Sequence, residues 1–198
     1  VIAVVDSGGA NLTSVMHALE RLNVKAELTA DPERISRAPR VLLPGVGTAG
    51  RAMELMRERG LVDCVKGLTQ PVLGICLGMQ LLFDRSQEGP TDCLALIHGQ
   101  LSLFAPQEGL TVPHMGWNQI NASSPEHRSR LLNGIHDGTN FYFVHSYRAE
   151  IGPWTAATCE YGAPFTAVSE QGNLFGVQFH PERSGPAGAR LLQNFLEL

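Results

Sequence analysis

Long apolar runs, basic clusters and paired cysteines are all missing from this sequence. No stretch approaches the roughly 20 consecutive apolar residues of a membrane span, so no transmembrane helix and no membrane partner is expected. Charged residues make up only 17% of the 198, and Asp plus Glu (19) exceed Lys plus Arg (15), for a formal net charge of −4. A mildly acidic chain without a basic run offers no steering field to a polyanion, which argues against nucleic acid as a partner. The four cysteines, Cys64, Cys76, Cys93 and Cys159, fit neither a zinc spacing nor a Cys-x-x-Cys pair. They read as reduced thiols of a cytoplasmic protein, with no metal and no cofactor expected. Residues 1–6 carry no basic region and no cleavage-site pattern, so no secretory leader is expected. What is present is ordinary globular composition: 43% hydrophobic residues, enough to build a core without disulfides. No repeat, low-complexity tract or linker divides the chain, which predicts one domain over residues 1–198.

The apolar pattern changes character along the chain. Residues 1–5, 24–29, 41–43 and 71–75 read as strands, and the continuous runs among them suit strands buried on both faces of a parallel sheet. Between them, Leu12, Val15, Met16, Leu19 and Leu22 recur at helical spacing behind Asn11 as N-cap, and Met53, Met56 and Leu61 suggest a helix over residues 49–60. Residues 77–83 read as a further helix. Beyond them come short strands and turns over 93–120, an aromatic strand at 141–147, a hairpin over 163–179 and a closing helix at 185–198. The expected fold class is α/β: one domain with a central, mostly parallel sheet flanked by helices, plus an antiparallel β-rich second half.

The strongest chemical signal is Gly74-Ile75-Cys76-Leu77-Gly78. A cysteine between a strand and a helix, with glycine two residues away on each side, is a nucleophile elbow with sulfur in place of oxygen. The glycines remove Cβ atoms that would collide with the neighbouring strand and helix. The helix N-terminus favours thiolate and offers N–H groups to an oxyanion. The plainer alternative is a buried structural cysteine. A base is supplied by Gln178-Phe179-His180-Pro181-Glu182. His180 and Glu182, two apart, point to one side if the chain is extended, so the carboxylate can orient the imidazole. Of the other histidines, His114 and His145 stand in unusual aromatic and glycine contexts, whereas His17, His127 and His136 read as surface or turn residues. Pro44-Gly45-Val46-Gly47 ends a strand in backbone suited to an anion. The segment Asp6-Ser7-Gly8-Gly9-Ala10-Asn11 lacks the residues of a phosphate loop and reads as a turn. The residues alone reach a cysteine-dependent acyl-transfer enzyme built on Cys76, His180 and Glu182, but not its substrate.

Together the elbow, with Met79 and Gln80 behind it, and the His-Pro-Glu run resemble the class I, triad-type glutamine amidotransferases. Residues 11–15, 44–47, 113–118, 142–147 and 176–185 narrow the likeness to the glutaminase subunits of imidazole glycerol phosphate synthase. That resemblance implies hydrolysis of L-glutamine to glutamate and ammonia, with Cys76 as nucleophile, His180 as proton carrier and Glu182 holding it. It implies an oxyanion hole from the backbone N–H groups of Val46 and Leu77, and glutamine contacts from Gly47, Gln80, Glu88, His145, Ser146 and Tyr147. It further implies that ammonia passes to a cyclase subunit built as a (β/α)₈ barrel, which must be a separate chain because such a barrel alone takes about 250 residues. That cyclase makes imidazole glycerol phosphate and aminoimidazole carboxamide ribotide in histidine biosynthesis. Asn11, Met115, Trp117, Tyr142 and Arg183 match positions at the docking face or ammonia gate, although core packing is an alternative for Met115, Trp117 and Tyr142. Other acceptors for the ammonia, a silent scaffold role and an unrelated cysteine hydrolase remain open at this level.

Overall fold

The computed structural model describes residues 1–7, 12–123 and 129–198. The Asn11 N-cap, the Gly8-Gly9-Ala10 turn and His127 lie outside the described residues. Two apolar clusters, one on each side of a nine-stranded sheet, form the core. One includes Leu42, Phe141, Phe175 and Phe195, the other Leu43, Met53, Met79 and Phe83. Neighbouring positions of one strand feed opposite clusters: Leu42 and Leu43 both have no exposed surface. This is the continuous apolar run of a doubly covered strand.

The chain enters through β1 (Ile2–Val5), α1 (Leu12–Arg21), β2 (Ala26–Thr29), α2 (Pro32–Arg37) and β3 (Val41–Gly45). It continues with α3 (Ala49–Glu58), α4 (Leu61–Lys66), β4 (Val72–Cys76) and α5 (Leu77–Leu81). Then come β5 (Phe83–Ser86), β6 (Thr91–Asp92), β7 (Ile97–Leu103), β8 (His114–Ala122), β9 (Thr139–His145) and β10 (Tyr147–Ala149). The chain closes with β11 (Thr155–Tyr161), β12 (Ala163–Gln171), β13 (Leu174–Val177) and α6 (Gly185–Leu196), and 3-10 turns occupy Arg130–Leu132 and Pro181–Arg183. Strand order in the main sheet is β2-β1-β3-β4-β13-β12-β11-β8-β9. The first five of these are parallel, and the last four join antiparallel. Strands β10-β7-β5-β6 form a second sheet, and β10 packs against β12 of the first, with Arg148 donating to the Pro164 carbonyl. No helix among the described residues is long and apolar enough to cross a membrane.

Several expectations are corrected in detail. The helix expected over 49–60 is α3, ending at Glu58, but Gly60 at φ 66° turns the chain into a second helix, α4, which was not expected and which takes Leu61. The helix expected over 77–83 ends at Leu81, and Phe83 opens a strand instead. The aromatic strand breaks at Ser146 into β9 and β10, which belong to different sheets. The second strand begins at Ala26 rather than Val24. Helix α2 is not legible in the apolar pattern, although Asp31 caps it by accepting from the Glu33 N–H and Pro32 fills its first turn.

Candidate active site

Strands β3, β4 and β13 lie side by side and parallel, so their carboxyl ends open at one edge. This is where open α/β sheets gather ligands. Cys76 is the last residue of β4 and sits at φ 53°, ψ −111°. A non-glycine residue there is strained by about 1–3 kcal/mol, a cost the surrounding packing must hold in place. The crossing is tight. A Cβ on Gly74 would meet the Met79 backbone at 2.7 Å, and one on Gly78 would meet the Leu43 carbonyl oxygen at 1.7 Å. The glycines flanking the cysteine therefore do what the sequence suggested: they let α5 press into the angle between β3 and β4.

His180 follows β13 and is 4% exposed. Its Nδ1 lies 2.8 Å from Glu182 Oε1. Residues 181–183 form a 3-10 turn rather than the extended segment expected, and the turn brings the carboxylate round beneath the ring. With Nδ1 committed, Nε2 is the nitrogen available to the sulfur. Burial alone would push the imidazolium down, but hydrogen bonding and charge attraction from Cys76 and Glu182 outweigh it and raise His180 to about 10. The other buried thiols show the contrast. Burial pushes Cys93 up to about 11 and Cys159 up to about 12, which leaves both protonated and inert.

A cleft of about 340 Å³ opens over the cysteine. Its lining holds Val46, Gly47, Cys76, Leu77, Gln80, Glu88, His145, Ser146, Tyr147 and His180. These include every residue expected from the sequence to touch glutamine or to form the oxyanion hole, together with the expected nucleophile, Cys76, and its expected base, His180. Pro113 and Val144 complete the wall and were not expected. Glu88 Oε2 accepts from the Ala49 N–H at 2.7 Å, which ties the loop after β5 to the start of α3. Another cleft, of about 370 Å³ beside Asn133 and Asn194, holds neither a cysteine nor a histidine. No group of three or more His, Cys, Asp or Glu among the described residues is arranged to hold a metal ion.

One residue at the sulfur was missed. Gln178 is fully buried, and its Nε2 lies 3.7 Å from Cys76 Sγ while its Oε1 accepts from Gln80 Nε2 at 2.9 Å. The Gln80 amide thus turns the Gln178 amide so that its N–H faces the Cys76 sulfur. A usable signal existed: Gln178 stands two residues before His180 at the end of a strand, the spacing that puts side chains on one side. A hydrogen bond to a charged group contributes about 1.5–3 kcal/mol. Gln178→Leu is therefore expected to slow iodoacetamide alkylation of Cys76 at pH 7 by about tenfold or more. An unchanged alkylation rate would show that the contact does nothing for the thiolate.

Four of the five residues expected at a docking face come together. Met115 and Trp117 point out from β8 and are 63% and 58% exposed. Trp117 pairs with Tyr142 across the strands, with ring centroids 6.0 Å apart, and the Arg183 guanidinium lies over the Tyr142 ring at 4.6 Å. Core packing, the alternative reading for Met115 and Trp117, is excluded by their exposure. The fifth, Asn11, is outside the described residues. The patch adjoins the site, because the Tyr142 carbonyl accepts the His180 backbone N–H at 2.9 Å.

Residues 3–198 match the family described as Glutamine amidotransferase class-I. The chain is 50% identical over 198 residues to the imidazole glycerol phosphate synthase subunit HisH of Escherichia coli strain K12, covering 100% of this chain and 99% of that protein. It is 51% identical, with the same coverage, to the HisH subunit of Salmonella typhimurium strain LT2. Among solved structures, a glutamine amidotransferase superposes with a TM-score of 0.75 at 20% identity, covering 100% of this chain and 97% of the other. The glutaminase domain of Trypanosoma brucei CTPS gives 0.67 at 15% identity, with 99% and 93% covered. At those identities the structural likeness speaks for the fold alone.

Proposed function

The chain belongs to the class-I glutamine amidotransferase family, and on that premise we propose that it hydrolyses L-glutamine as the glutaminase subunit of an imidazole glycerol phosphate synthase. The observation that carries the reading is the strained Cys76 at the mouth of the sheet, beside a histidine held by a buried carboxylate. In the proposed reaction the Cys76 thiolate adds to the carboxamide carbon of glutamine. The backbone N–H groups of Val46 and Leu77 receive the oxyanion, an interaction whose loss typically costs about 100- to 1,000-fold in rate. The His180 imidazolium gives its proton to the departing nitrogen as the C–N bond breaks, which leaves a glutamyl thioester and ammonia. Water then adds with His180 as base, and the C–S bond breaks to release glutamate and restore the thiol. Glu182 holds the ring and balances its charge throughout. The amide of Gln80 and the backbone around Ser146, with Gly47, Glu88, His145 and Tyr147, hold the substrate.

Ammonia released into water at neutral pH is protonated and lost as a nucleophile, so a direct hand-over is needed. The exposed Met115–Trp117 face, continuous with Tyr142 and Arg183, suits docking of a separate cyclase chain of (β/α)₈-barrel form. There the ammonia would enter imidazole glycerol phosphate, with aminoimidazole carboxamide ribotide as coproduct, in histidine biosynthesis. Four free cysteines support a reducing, cytoplasmic setting. The test is glutamate release by the chain alone, with a cyclase subunit, and with cyclase plus its nucleotide ligand. A large rise in the full complex is expected. Trp117→Ala is expected to weaken cyclase binding by about 30-fold or more, as for a buried aromatic anchor worth at least 2 kcal/mol. No response to the cyclase, or equal affinity in the variant, would point to another synthase partner or another face.

A further inference from the structure

His114 on β8 and His145 on β9 stand directly opposite each other. They are only 3% and 6% exposed. His114 is stacked between Phe143 and Tyr161, with centroids 4.9 and 4.0 Å away. His145 forms part of the cleft wall, with Phe104 and Phe165 packed on its other sides. The polar contacts of the pair form a single file. His145 Nδ1 lies 2.8 Å from the Tyr147 carbonyl oxygen, and His145 Nε2 lies 3.0 Å from His114 Nδ1. His114 Nε2 lies 3.3 Å from Asn118 Nδ2.

This file admits one arrangement of protons. A carbonyl can only accept, so His145 Nδ1 carries the hydrogen and its Nε2 has a lone pair. His114 Nδ1 must then donate to that lone pair, which leaves His114 Nε2 as acceptor. Asn118 meets it with an N–H. The amide cannot be turned over, because Asn118 Nδ2 also donates to the Glu160 carbonyl at 2.9 Å and Oδ1 accepts from the Gln119 N–H at 2.8 Å. A second proton on His145 would face the N–H of His114 with nowhere to go.

We propose that His114, itself oriented by Asn118, is a positioning residue for the glutamine pocket: through His145 it fixes the Tyr147 carbonyl. The proposal rests on the glutaminase reading above. The Tyr147 carbonyl is held from two sides, since Gln80 Nε2 also donates to it at 3.0 Å. This anchors the chain just after the Ser146 break, where the backbone borders the cleft. The titratable and charged groups acting on His145 are His114, His180 and Arg148, all cationic when charged. A charge on His145 would therefore stand unbalanced beside the His180 imidazolium on which the chemistry depends. Burial agrees with the geometry, pushing His114 down to about 4 and His145 to about 3.

The test joins imidazole nitrogen NMR of the intact chain with glutamine affinity in a Cys76→Ala background, alone and with a cyclase subunit. His114→Phe keeps a ring between Phe143 and Tyr161 and removes the donor. His114→Asn puts an amide N–H where Nδ1 stands. In the unsubstituted chain His145 should keep its proton on Nδ1 and stay neutral from pH 8 to pH 5. In His114→Phe burial and the neighbouring cations still keep the ring neutral, but its proton should no longer be confined to Nδ1, and glutamine binding should fall by about tenfold. His114→Asn should restore the tautomer. A proton on His145 Nε2 in the unsubstituted chain, titration of that ring between pH 5 and 8, or unaltered spectra and affinity in His114→Phe would each overturn the proposal. If the Cys76→Ala chain binds no glutamine even with cyclase, the substrate reading falls and takes the positioning role with it. The spectra would still report the tautomer separately.

Discussion

Cys76→Ala is expected to lower glutamate release from the full complex by about four to six orders of magnitude while leaving fold and glutamine affinity in place. In the proposed reaction the sulfur is the atom that forms the intermediate, and neither Cys93 nor Cys159 can replace it, because both are buried elsewhere and held protonated. The substitution removes one atom at the mouth of an open cleft, so it leaves no sealed cavity. His180→Asn should cost nearly as much, and adding it to Cys76→Ala should cost little more, because nucleophile and base act as a unit. A coupled assay of glutamate release checks this, and residual activity above about 1% would remove Cys76 from the proposed role. A thermodynamic signature accompanies the kinetic one. His180 is raised in the folded chain from its ordinary value near 6.5 to about 10. The stability it contributes as imidazolium is complete below about pH 6.5 and is lost as pH rises towards 10. Thermal melts at pH 6 and pH 10 should show a smaller alkaline loss in Cys76→Ala, which lacks one of the partners that hold the proton on. Equal alkaline losses would mean that the pair is not coupled in the folded state.

What the sequence disclosed and what it hid follow from the range of the forces involved. The parallel strands were readable because double burial writes itself as a continuous apolar run, as at Val72–Cys76. The elbow was readable because its steric demand is met by glycines two residues away. The insertion of β13 beside β4 was not readable: Leu174 pairs with Val72, and no local pattern encodes a partner so distant in the chain. Phe83 continued the apolar face of the preceding helix, so its strand was invisible until Leu94, Ala95, Leu96 and Ile97 were seen to bond back to residues 81–83. At the site, the pairing of His180 with Glu182 was local and legible, although through a turn rather than a strand. The contact of His114 with His145 depends on the pairing of β8 with β9, and the exposure of Met115 and Trp117 depends on which face of that strand is left uncovered. Chemistry carried by neighbours in sequence showed itself early, and chemistry assembled across the sheet did not.

Gly78→Ala is expected to be among the most damaging single methyl groups that can be added at a described residue. A Cβ there would stand 1.7 Å from the Leu43 carbonyl oxygen and 2.7 Å from its carbon. Both are backbone atoms of β3, so no side chain can swing aside. Either β3 moves, and with it the Pro44-Gly45-Val46-Gly47 segment, or α5 lifts out of the angle between the strands. The first displaces the Val46 N–H and the second displaces the Leu77 N–H, so either response dismantles the proposed oxyanion site. Gly45 leaves no slack on the opposite side, since its own Cβ would meet the Gly78 nitrogen at 2.9 Å. Overpacking ordinarily costs about 1–3 kcal/mol, and against two backbone segments the cost should exceed about 3 kcal/mol. For a chain of this size that is a fall in Tm of about 10 °C, with glutaminase activity lost even at temperatures where the chain remains folded. Gly172→Ala is the control. Gly172, unlike Gly78, adopts a positive φ, 61°, and nothing lies within 4 Å of its Cβ position. Only the left-handed backbone term of about 1–2 kcal/mol should appear there, with activity unchanged. A Gly78→Ala chain as stable and as active as Gly172→Ala would show that the elbow does not need the close approach on which its geometry rests.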